Sequence, residues 1–296
     1  MISIIIPSYN YPVYDLVKEL YSQCTVLNIP FEIIVRDDCS KNQFTNIKIN
    51  ELINCFYSTS DINIGLAQTR NYLINQANYP YILMLDNDVY PKDSFFIKNY
   101  LKHIDLNSHI YYGGISYKRE RPKNEEMLRW VYGINREEQT AEVRLKKNPS
   151  LFLCSNTLFL KEVFNLIAFD DTIKNYGYED LIFSKEALEN KFIVKHLNNS
   201  VWHLKLDTSS TYLIKTETAI ETLKTLINEH KLSFGDTGFS KLYLKLKNKN
   251  LLQTLRLTNK IFNLSKILKN NLVSKNPNLK YFDLYRLLYF DKLMRH

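Results

Sequence analysis

Short apolar runs alternate along the chain with amphipathic stretches, and the two kinds of stretch differ in period. Ile2 to Ile6 is a β-branched run ended by Pro7-Ser8-Tyr9-Asn10, the pattern of a buried first strand stopped by a turn. From Pro12 to Leu27 the apolar residues Val13, Leu16, Val17 and Leu20 fall at helical spacing, and Pro12 suits a first turn. Phe31 to Val35 predicts a second strand, ending in Arg36-Asp37-Asp38-Cys39-Ser40, and Phe56-Tyr57-Ser58 a third. Asn63-Ile64-Gly65 opens a helix through Leu66, Arg70, Leu73 and Ala77. Tyr81 to Leu85 is nearly continuous in apolar residues, as in a strand buried on both faces of a parallel sheet. Asp93 to Leu101 predicts another helix, and Ile110 to Ser116 another strand.

This order predicts an α/β fold: an open, mostly parallel sheet with helices on both faces, followed by a helical C-terminal extension. Residues 118 to 150 are charged and irregular, with a short helix at Met127 to Tyr132, and read as a lid, a binding loop or a disordered segment. Tyr176-Gly177-Tyr178-Glu179-Asp180 leads into a helix carrying Leu181, Phe183, Ala187 and Leu188. Strands follow at Phe192 to Val194 and at Val201-Trp202-His203. Thr208 to His230 predicts a long helix, broken at Gly235 to Gly238. Leu257, Ile261, Leu264, Leu268 and Leu272 then mark one amphipathic helix. The organisation expected is a catalytic domain over residues 1–206 and a basic, mainly helical extension over 207–296.

Charge changes the picture in the last fifth of the chain. From Lys241 to His296 there are 13 Lys and Arg against 2 Asp and Glu, whereas the rest carries 26 against 29. A basic amphipathic helix can lie on an anionic membrane surface, or its apolar face can pack on its own domain and leave a solvated basic side. A basic tail without a reading motif does not point to nucleic acid. No apolar run reaches membrane-spanning length, and Cys24, Cys39, Cys55 and Cys154 have neither zinc-site nor disulfide-framework spacing. The expectation is a cytoplasmic protein, soluble or peripheral on the inner face of the membrane.

The candidate chemistry gathers where the strands end. Ser8-Tyr9-Asn10, Asp37-Asp38 and Asp86-Asn87-Asp88 each follow a predicted parallel strand, so they share the carboxyl edge where open α/β sheets bind ligands. Asp86 and Asp88 can serve a metal and a nucleotide sugar, or belong to a solvated turn rich in Asp and Asn. Glu179 and Asp180 can cap a helix, or hold a carboxylate against an acceptor hydroxyl. His203 can be a hydrogen-bonded strand residue or a metal ligand.

Together these residues resemble glycosyltransferase family 2, the inverting nucleotide-sugar transferases of GT-A fold, over roughly Met1 to Leu206. Ile4-Ile5-Ile6-Pro7-Ser8-Tyr9-Asn10 is similar to the family's opening strand and nucleotide loop, which implies donor contacts at Pro7, Ser8, Tyr9 and Asn10. Asp37-Asp38-Cys39-Ser40 resembles the Asp-Asp-x-Ser motif, implying that Asp38 contacts the base. Cys39 departs from the usual glycine of that motif. The stretch from Asn63 to Asn71 resembles the Asn-x-Gly-x-x-x-x-Arg-Asn motif, placing Gly65 and Arg70 near the nucleotide. Asp86-Asn87-Asp88 matches D-x-D, implying Asp86 and Asn87 at the donor and Asp88 on Mn²⁺ or Mg²⁺. Gly177-Tyr178-Glu179-Asp180 resembles the Gly-Tyr-Glu-Asp motif of the chondroitin-polymerase and β4-galactosyltransferase-like branches. That implies Asp180 as catalytic base, with Glu179 and Tyr178 at the acceptor. Trp202-His203 resembles the metal-ligating His that follows, although the family's second His is replaced by the run Leu204-Lys205-Leu206.

The resemblance implies transfer from a nucleotide sugar, a UDP-sugar as first choice, to a saccharide or lipid-linked saccharide in bacterial surface polysaccharide or glycoconjugate synthesis. Two other classes compete. A nucleotidyltransferase would carry a Gly-rich basic loop after the first strand, where this chain has Pro-Ser-Tyr-Asn. A non-catalytic nucleotide-sugar-binding or scaffold protein could share the fold, though intact Asp86, Asp88, Glu179, Asp180 and His203 argue against degeneration.

Overall fold

A computed structural model gives the protein's structure and describes residues 1–42, 45–173 and 175–295. In chain order the elements begin β1 (Ile2–Ser8), α1 (Tyr14–Val26), β2 (Phe31–Asp37), β3 (Cys55–Thr59), α2 (Leu66–Gln76), β4 (Tyr81–Leu85), β5 (Val89–Pro91), α3 (Phe96–His103), β6 (Ile110–Tyr112) and β7 (Ile115–Ser116). They continue with α4 (Met127–Tyr132), α5 (Ala141–Lys147), β8 (Asn156–Leu160), α6 (Glu179–Glu189), β9 (Val194–His196) and β10 (Val201–His203). The last helices are α7 (Ser209–Asn228), α8 (Gly238–Asn248), α9 (Leu251–Phe262), α10 (Leu264–Leu272) and α11 (Leu279–Leu293). The chain divides into two compact units. One comprises Met1–Lys118, Glu137–Lys174 and Glu179–Lys205; the other comprises Arg119–Arg136, Asn175–Tyr178 and Leu206–His296.

The first unit is built on a seven-stranded sheet in the order β3-β2-β1-β4-β8-β6-β9. Pairings among β3, β2, β1 and β4 are parallel, as is β6 with β9, whereas β8 runs antiparallel to both of its neighbours. The apolar runs of the central strands are explained by burial on both faces. Ile2, Ile4 and Ile6 of β1, Ile33 and Val35 of β2, and Leu83 and Leu85 of β4 enter one core with α1 and α3. The intervening Ile5, Ile34, Ile82 and Met84 enter the other core with α2 and α6. A period of two with apolar residues in both registers is what a doubly covered sheet requires. A second small sheet, β5-β10-β7, pairs β10 antiparallel with β5 and parallel with β7.

Three expectations need correction. The strand expected over Ile110 to Ser116 is two strands in two sheets. It breaks at Gly113, where an added Cβ would lie 2.4 Å from the Asn199 carbonyl oxygen, and at Gly114, with φ +90°. The buried Arg144 guanidinium fills the break, donating to the carbonyls of Leu197 (2.7 Å) and Gln139 (2.6 Å). The stretch 118–150 is not irregular throughout. Beyond α4 it contains α5, whose N-cap Thr140 accepts from the Val143 amide. The single amphipathic helix expected over 257–272 is two, because Asn263 adopts the left-handed conformation (φ 47°, ψ 47°), which Asn tolerates through its short polar side chain.

In the second unit α4, α7, α10 and α11 share a core containing Leu128, Leu213, Leu268, Leu272, Phe282 and Leu288. Tyr212 stacks on Phe282 at 5.8 Å. Gly177 (φ +110°) turns the chain beside Ala219, whose Cβ would be 2.8 Å from a Cβ at that position. No helix among the described residues is long and apolar enough to cross a membrane.

Candidate active site

The four parallel strands end on one edge of the sheet, and backbone geometry ties their loops together there. After β1, the Asn10 amide (φ +50°) donates to Ser40 Oγ at 2.6 Å, and Asn10 Oδ1 accepts from the Lys41 amide at 3.1 Å. Ser8 is buried, and its carbonyl accepts from the Asp38 amide at 2.8 Å. Pro7 lies within β1, paired with Arg36, and the Tyr9 side chain is exposed. Asn87 reaches the same loop, its Nδ2 3.5 Å from the Tyr9 carbonyl.

Asp38 is buried, and its carboxylate accepts from the backbone amides of Ile64 and Gly65, both at 2.8 Å. Gly65 is the N-cap residue of α2 with φ +88°, and nothing crowds the place of its missing Cβ. Its backbone conformation, rather than lack of space, favours glycine there. Asp38 therefore fixes the turn that launches α2, and with it the direction of Arg70 one turn further on.

Arg70 is the centre of the site. Its side chain is 3% exposed, with Nη2 3.1 Å from Asp86 Oδ1 and Nη1 3.0 Å from Asp180 Oδ1. Its Cζ lies 5.1 Å from the Phe169 ring centroid, and its Nε has no hydrogen-bond partner among the described residues. One guanidinium thus joins the carboxylate at the end of β4 to the carboxylate in the first turn of α6. Asp180 Oδ2 accepts from the Cys154 amide at 3.2 Å, so both oxygens are engaged by other elements rather than by the first turn of their own helix. The capping role that sequence allows for Asp180 is not the one its bonds describe. Glu179 begins α6 and adds to the negative field on Arg70. Tyr178, in the second unit, has φ +73° and forms a hydrogen bond with Arg286.

Electrostatics follow from this crowding. Burial by itself lowers the pKa of Arg70, but Asp180, Cys154, Asp86 and Glu179 outweigh it and raise the value. Burial pushes the Asp86 carboxyl up, opposed by Arg70 and reinforced by Asp88 and Asp180. The buried Cys154 thiol is raised by the same burial and by Asp180.

Asp88 and His203, 115 positions apart in sequence, meet because β5 and β10 pair antiparallel with His203 opposite Val89. The Leu204 amide donates to the Asp88 carbonyl at 2.8 Å, and His203 Nε2 lies 3.7 Å from Asp88 Oδ2. The His203 ring stacks on Tyr117 at 5.4 Å and 21°, and Tyr117 in turn donates its hydroxyl to Glu137. Among the described residues no cluster of three or more His, Cys, Asp or Glu has the arrangement of a metal cage. The Asp88 carboxylate is the oxygen donor that a hard divalent ion takes from a protein, the rest of its shell being water and substrate phosphate, and the His203 imidazole nitrogen is a softer donor beside it. Neighbouring ligands of an octahedral ion at about 2.1 Å stand about 3.0 Å apart, so Nε2 and Oδ2, at 3.7 Å, would close by about 0.7 Å to share one ion.

The structure therefore gathers Asp86, Arg70 and Asp180 at one point and Asp88 and His203 at another, with Pro7 and Ser8 at the end of β1 and Tyr9, Asn10, Asp38, Gly65 and Asn87 on the turns of the same sheet edge. Sequence reasoning missed Cys154, whose amide holds Asp180, and Tyr117, which backs His203. A lone cysteine in an apolar run and one tyrosine among 21 carry no signal of such roles.

Comparison with known proteins bears on the family and the fold. Residues 3–167, more than half the chain, match the family model described as glycosyl transferase family 2. Chondroitin synthase from Pasteurella multocida is 27% identical over 221 residues, a match covering 62% of this chain and 22% of that relative, so the chain spans less than a quarter of its length. Among solved structures, Staphylococcus aureus TarS 1–349 in complex with UDP-GlcNAc is similar in fold (TM-score 0.52, 20% identity, 99% of this chain and 91% of that one). So is the mannosyltransferase PcManGT from Pyrobaculum calidifontis in complex with GDP-Man and Mn²⁺ (TM-score 0.62, 15% identity, 98% and 86%). With a GT-A-type sheet carrying its polar residues on the carboxyl edge and a family match running from β1 past β8, this chain belongs to glycosyltransferase family 2.

Proposed function

We propose that the protein is an inverting, metal-assisted glycosyltransferase. It moves a sugar from a nucleotide sugar, a UDP-sugar as first choice, to a hydroxyl of a saccharide or lipid-linked saccharide. The observation that carries this reading is the Arg70 bridge, in which one buried guanidinium holds Asp86 and Asp180 at 3.1 and 3.0 Å. It sets a donor-side carboxylate and a base candidate at fixed positions without either depending on bound ligand.

In this reading Asp180 accepts the proton of the acceptor hydroxyl while that oxygen bonds to the anomeric carbon. The bond from that carbon to the diphosphate oxygen breaks, and the nucleoside diphosphate leaves with the electron pair. Asp180 Oδ1 accepts from Arg70 and Oδ2 from the Cys154 amide, and a carboxylate offers about four lone-pair sites, so orientation and proton acceptance are compatible. Asp86 and Asn87 would meet the donor, and Pro7, Ser8, Tyr9, Asn10, Asp38 and Gly65 would form its nucleotide loop. Glu179 and Tyr178 would meet the acceptor. Asp88 and His203 would hold Mn²⁺ or Mg²⁺, which when bound neutralises charge on the departing diphosphate. The similarity to chondroitin synthase supports polysaccharide or glycoconjugate synthesis. The basic extension supports a peripheral position at the inner membrane face, where a lipid-linked acceptor would be available.

The test is turnover of UDP-, GDP-, CDP- and dTDP-sugars, with Mn²⁺ or with a chelator, by wild type and Asp180→Asn. The variant is expected to keep the nucleotide-induced rise in melting temperature and to lose about 10²–10⁴ in kcat, the range for a general base. Turnover within tenfold of wild type would remove Asp180 from the base role.

A further inference from the structure

The second unit contains a cavity that the transfer chemistry leaves unused. It measures about 620 Å³, opens between α9 and α11, and is lined by Arg256, Lys260, Lys292, Arg295 and one carboxylate, Asp291. Asp291 is 2% exposed and already satisfied: Arg256 clamps it through two hydrogen bonds of 2.8 and 2.7 Å, and Arg295 Nε lies 3.5 Å away. Lys260 and Lys292 are exposed and have no carboxylate partner among the described residues. The cavity therefore carries more positive charge than its own acid neutralises, which is the setting for an anionic group.

The helix beside it is apolar on two sides. Leu252 of α9 is buried in the unit, as are Leu268 and Leu272 of α10. Leu257, Ile261 and Phe262, the first of which also lines the cavity, are 59%, 62% and 63% exposed. Internal packing thus accounts for part of the periodicity of this segment and leaves a second apolar face uncovered. From Thr237 to Phe282 the chain carries ten Lys and Arg and no Asp or Glu. That excess repels a second copy of the same face and attracts a negatively charged surface.

We propose that this face docks on an anionic phospholipid membrane, with Leu257, Ile261 and Phe262 entering the acyl–headgroup boundary and a lipid phosphate seated in the cavity by Lys260, Lys292 and Arg295. The inference deepens the peripheral-membrane reading above and does not depend on the transfer chemistry. Apolar insertion and cationic attraction reinforce one another in such surface helices.

The test is co-sedimentation of the full chain with vesicles of phosphatidylcholine alone, or of phosphatidylcholine and phosphatidylglycerol at about three to one. Binding is expected to the anionic vesicles only and to weaken with added salt. Lys260→Gln and Lys292→Gln should each lower the partition coefficient about fivefold, the worth of one lysine near such a surface. The double variant Leu257→Asp, Ile261→Asp should abolish binding. Lys146→Gln with Lys147→Gln, exposed in the first unit, is the control for charge alone and should change binding less than twofold.

Equal binding to neutral vesicles, no binding to either kind, or indifference to the cavity lysines would overturn the proposal. So would a melting-temperature rise with free glycerol phosphate, lost in Lys260→Gln, when vesicles do not bind. A concentration-dependent dimer broken by Ile261→Asp, again without vesicle binding, would assign the face to a second copy. The UDP-induced melting shift with Mn²⁺ in the same variants keeps the two readings apart. Its persistence beside lost vesicle binding locates the defect at this face. Its absence from wild type, with GDP, CDP and dTDP also giving no shift, beside intact vesicle binding would sink the nucleotide-sugar reading and leave this one.

Discussion

Removing the shared guanidinium tests whether one arginine couples the two halves of the site. Arg70 is buried and makes ion pairs at 3.1 Å to Asp86 and 3.0 Å to Asp180. Arg70→Met leaves two carboxylates facing the space of a lost cation. Breaking a fully buried pair costs about 3–5 kcal/mol, but the Asp86 and Asp180 side chains are 33% and 23% exposed, so water can recover part of that. A loss of about 2–4 kcal/mol is expected after that discount. Arg70→Lys keeps the charge but replaces a planar fork with a single ammonium on a differently shaped head, which cannot reach both carboxylates in the same geometry. Losing one charge-assisted bond should cost about 2 kcal/mol. The assay is urea unfolding of wild type, Arg70→Met, Asp180→Asn and the double variant, with turnover measured in parallel. The cycle should give a coupling energy of at least about 1 kcal/mol, as expected for residues in direct contact. A stability of Arg70→Met within about 0.5 kcal/mol of wild type, the scatter of ordinary surface substitutions, would refute the reasoning. Simple additivity in the cycle would mean that Arg70 does not join the two carboxylates in solution.

Asp88→Asn and His203→Ala should each abolish the part of the UDP-induced melting shift that a chelator removes in wild type, while leaving unliganded melting within a few degrees. A metal-dependent shift retained in both variants would free these residues from the metal role. Gly114→Ala should destabilise by about 2–4 kcal/mol, because alanine is disfavoured at positive φ and its Cβ would fall 2.2 Å from the Arg144 guanidinium; unfolding by urea indistinguishable from wild type would contradict this. His196 offers a pH signature. Burial lowers its pKa below 6.5, and although the Pro149 carbonyl opposes the shift, Arg144 adds to it. Arg144 Nε lies 3.3 Å from Nδ1 and the Pro149 oxygen 2.9 Å from Nε2, a pair of contacts suited to the neutral ring with its proton on Nε2. A depressed histidine contributes stability above its unfolded pKa and loses it as pH falls through the folded value. Unfolding free energy should therefore drop between about pH 7 and 5, and His196→Gln should flatten that slope; an unchanged slope would rule His196 out as its source.

Much of the first unit was legible because its central strands are buried on both faces. Ile2 to Ile6, Phe31 to Val35 and Tyr81 to Leu85 are apolar in both registers apart from Ser3 and Glu32, which hydrogen-bond each other at 2.6 Å, and polar residues follow each run within two positions. That pairing of apolar run and polar end fixes both the strand and its functional edge in local sequence. The break at Gly113-Gly114 was not legible, because its cause is Arg144, about 30 positions later, filling the gap between two sheets. Nor was the split at Asn263, since one left-handed residue interrupts a helix without disturbing its apolar spacing.

The sequence by itself determined which residues could do chemistry and which strand ends would present them, because side-chain type and strand period are local properties. Only the tertiary structure decided which of them meet. Asp180 could have capped its own helix; the arrival of α6 beside α2 gives it to Arg70 instead. His203 stands beside Asp88 through an antiparallel pairing of two three-residue strands with no periodic signal of their own. In the extension, packing divided one apolar repeat into a buried face and an exposed one, a division made by the partners that surround a helix rather than by its own sequence.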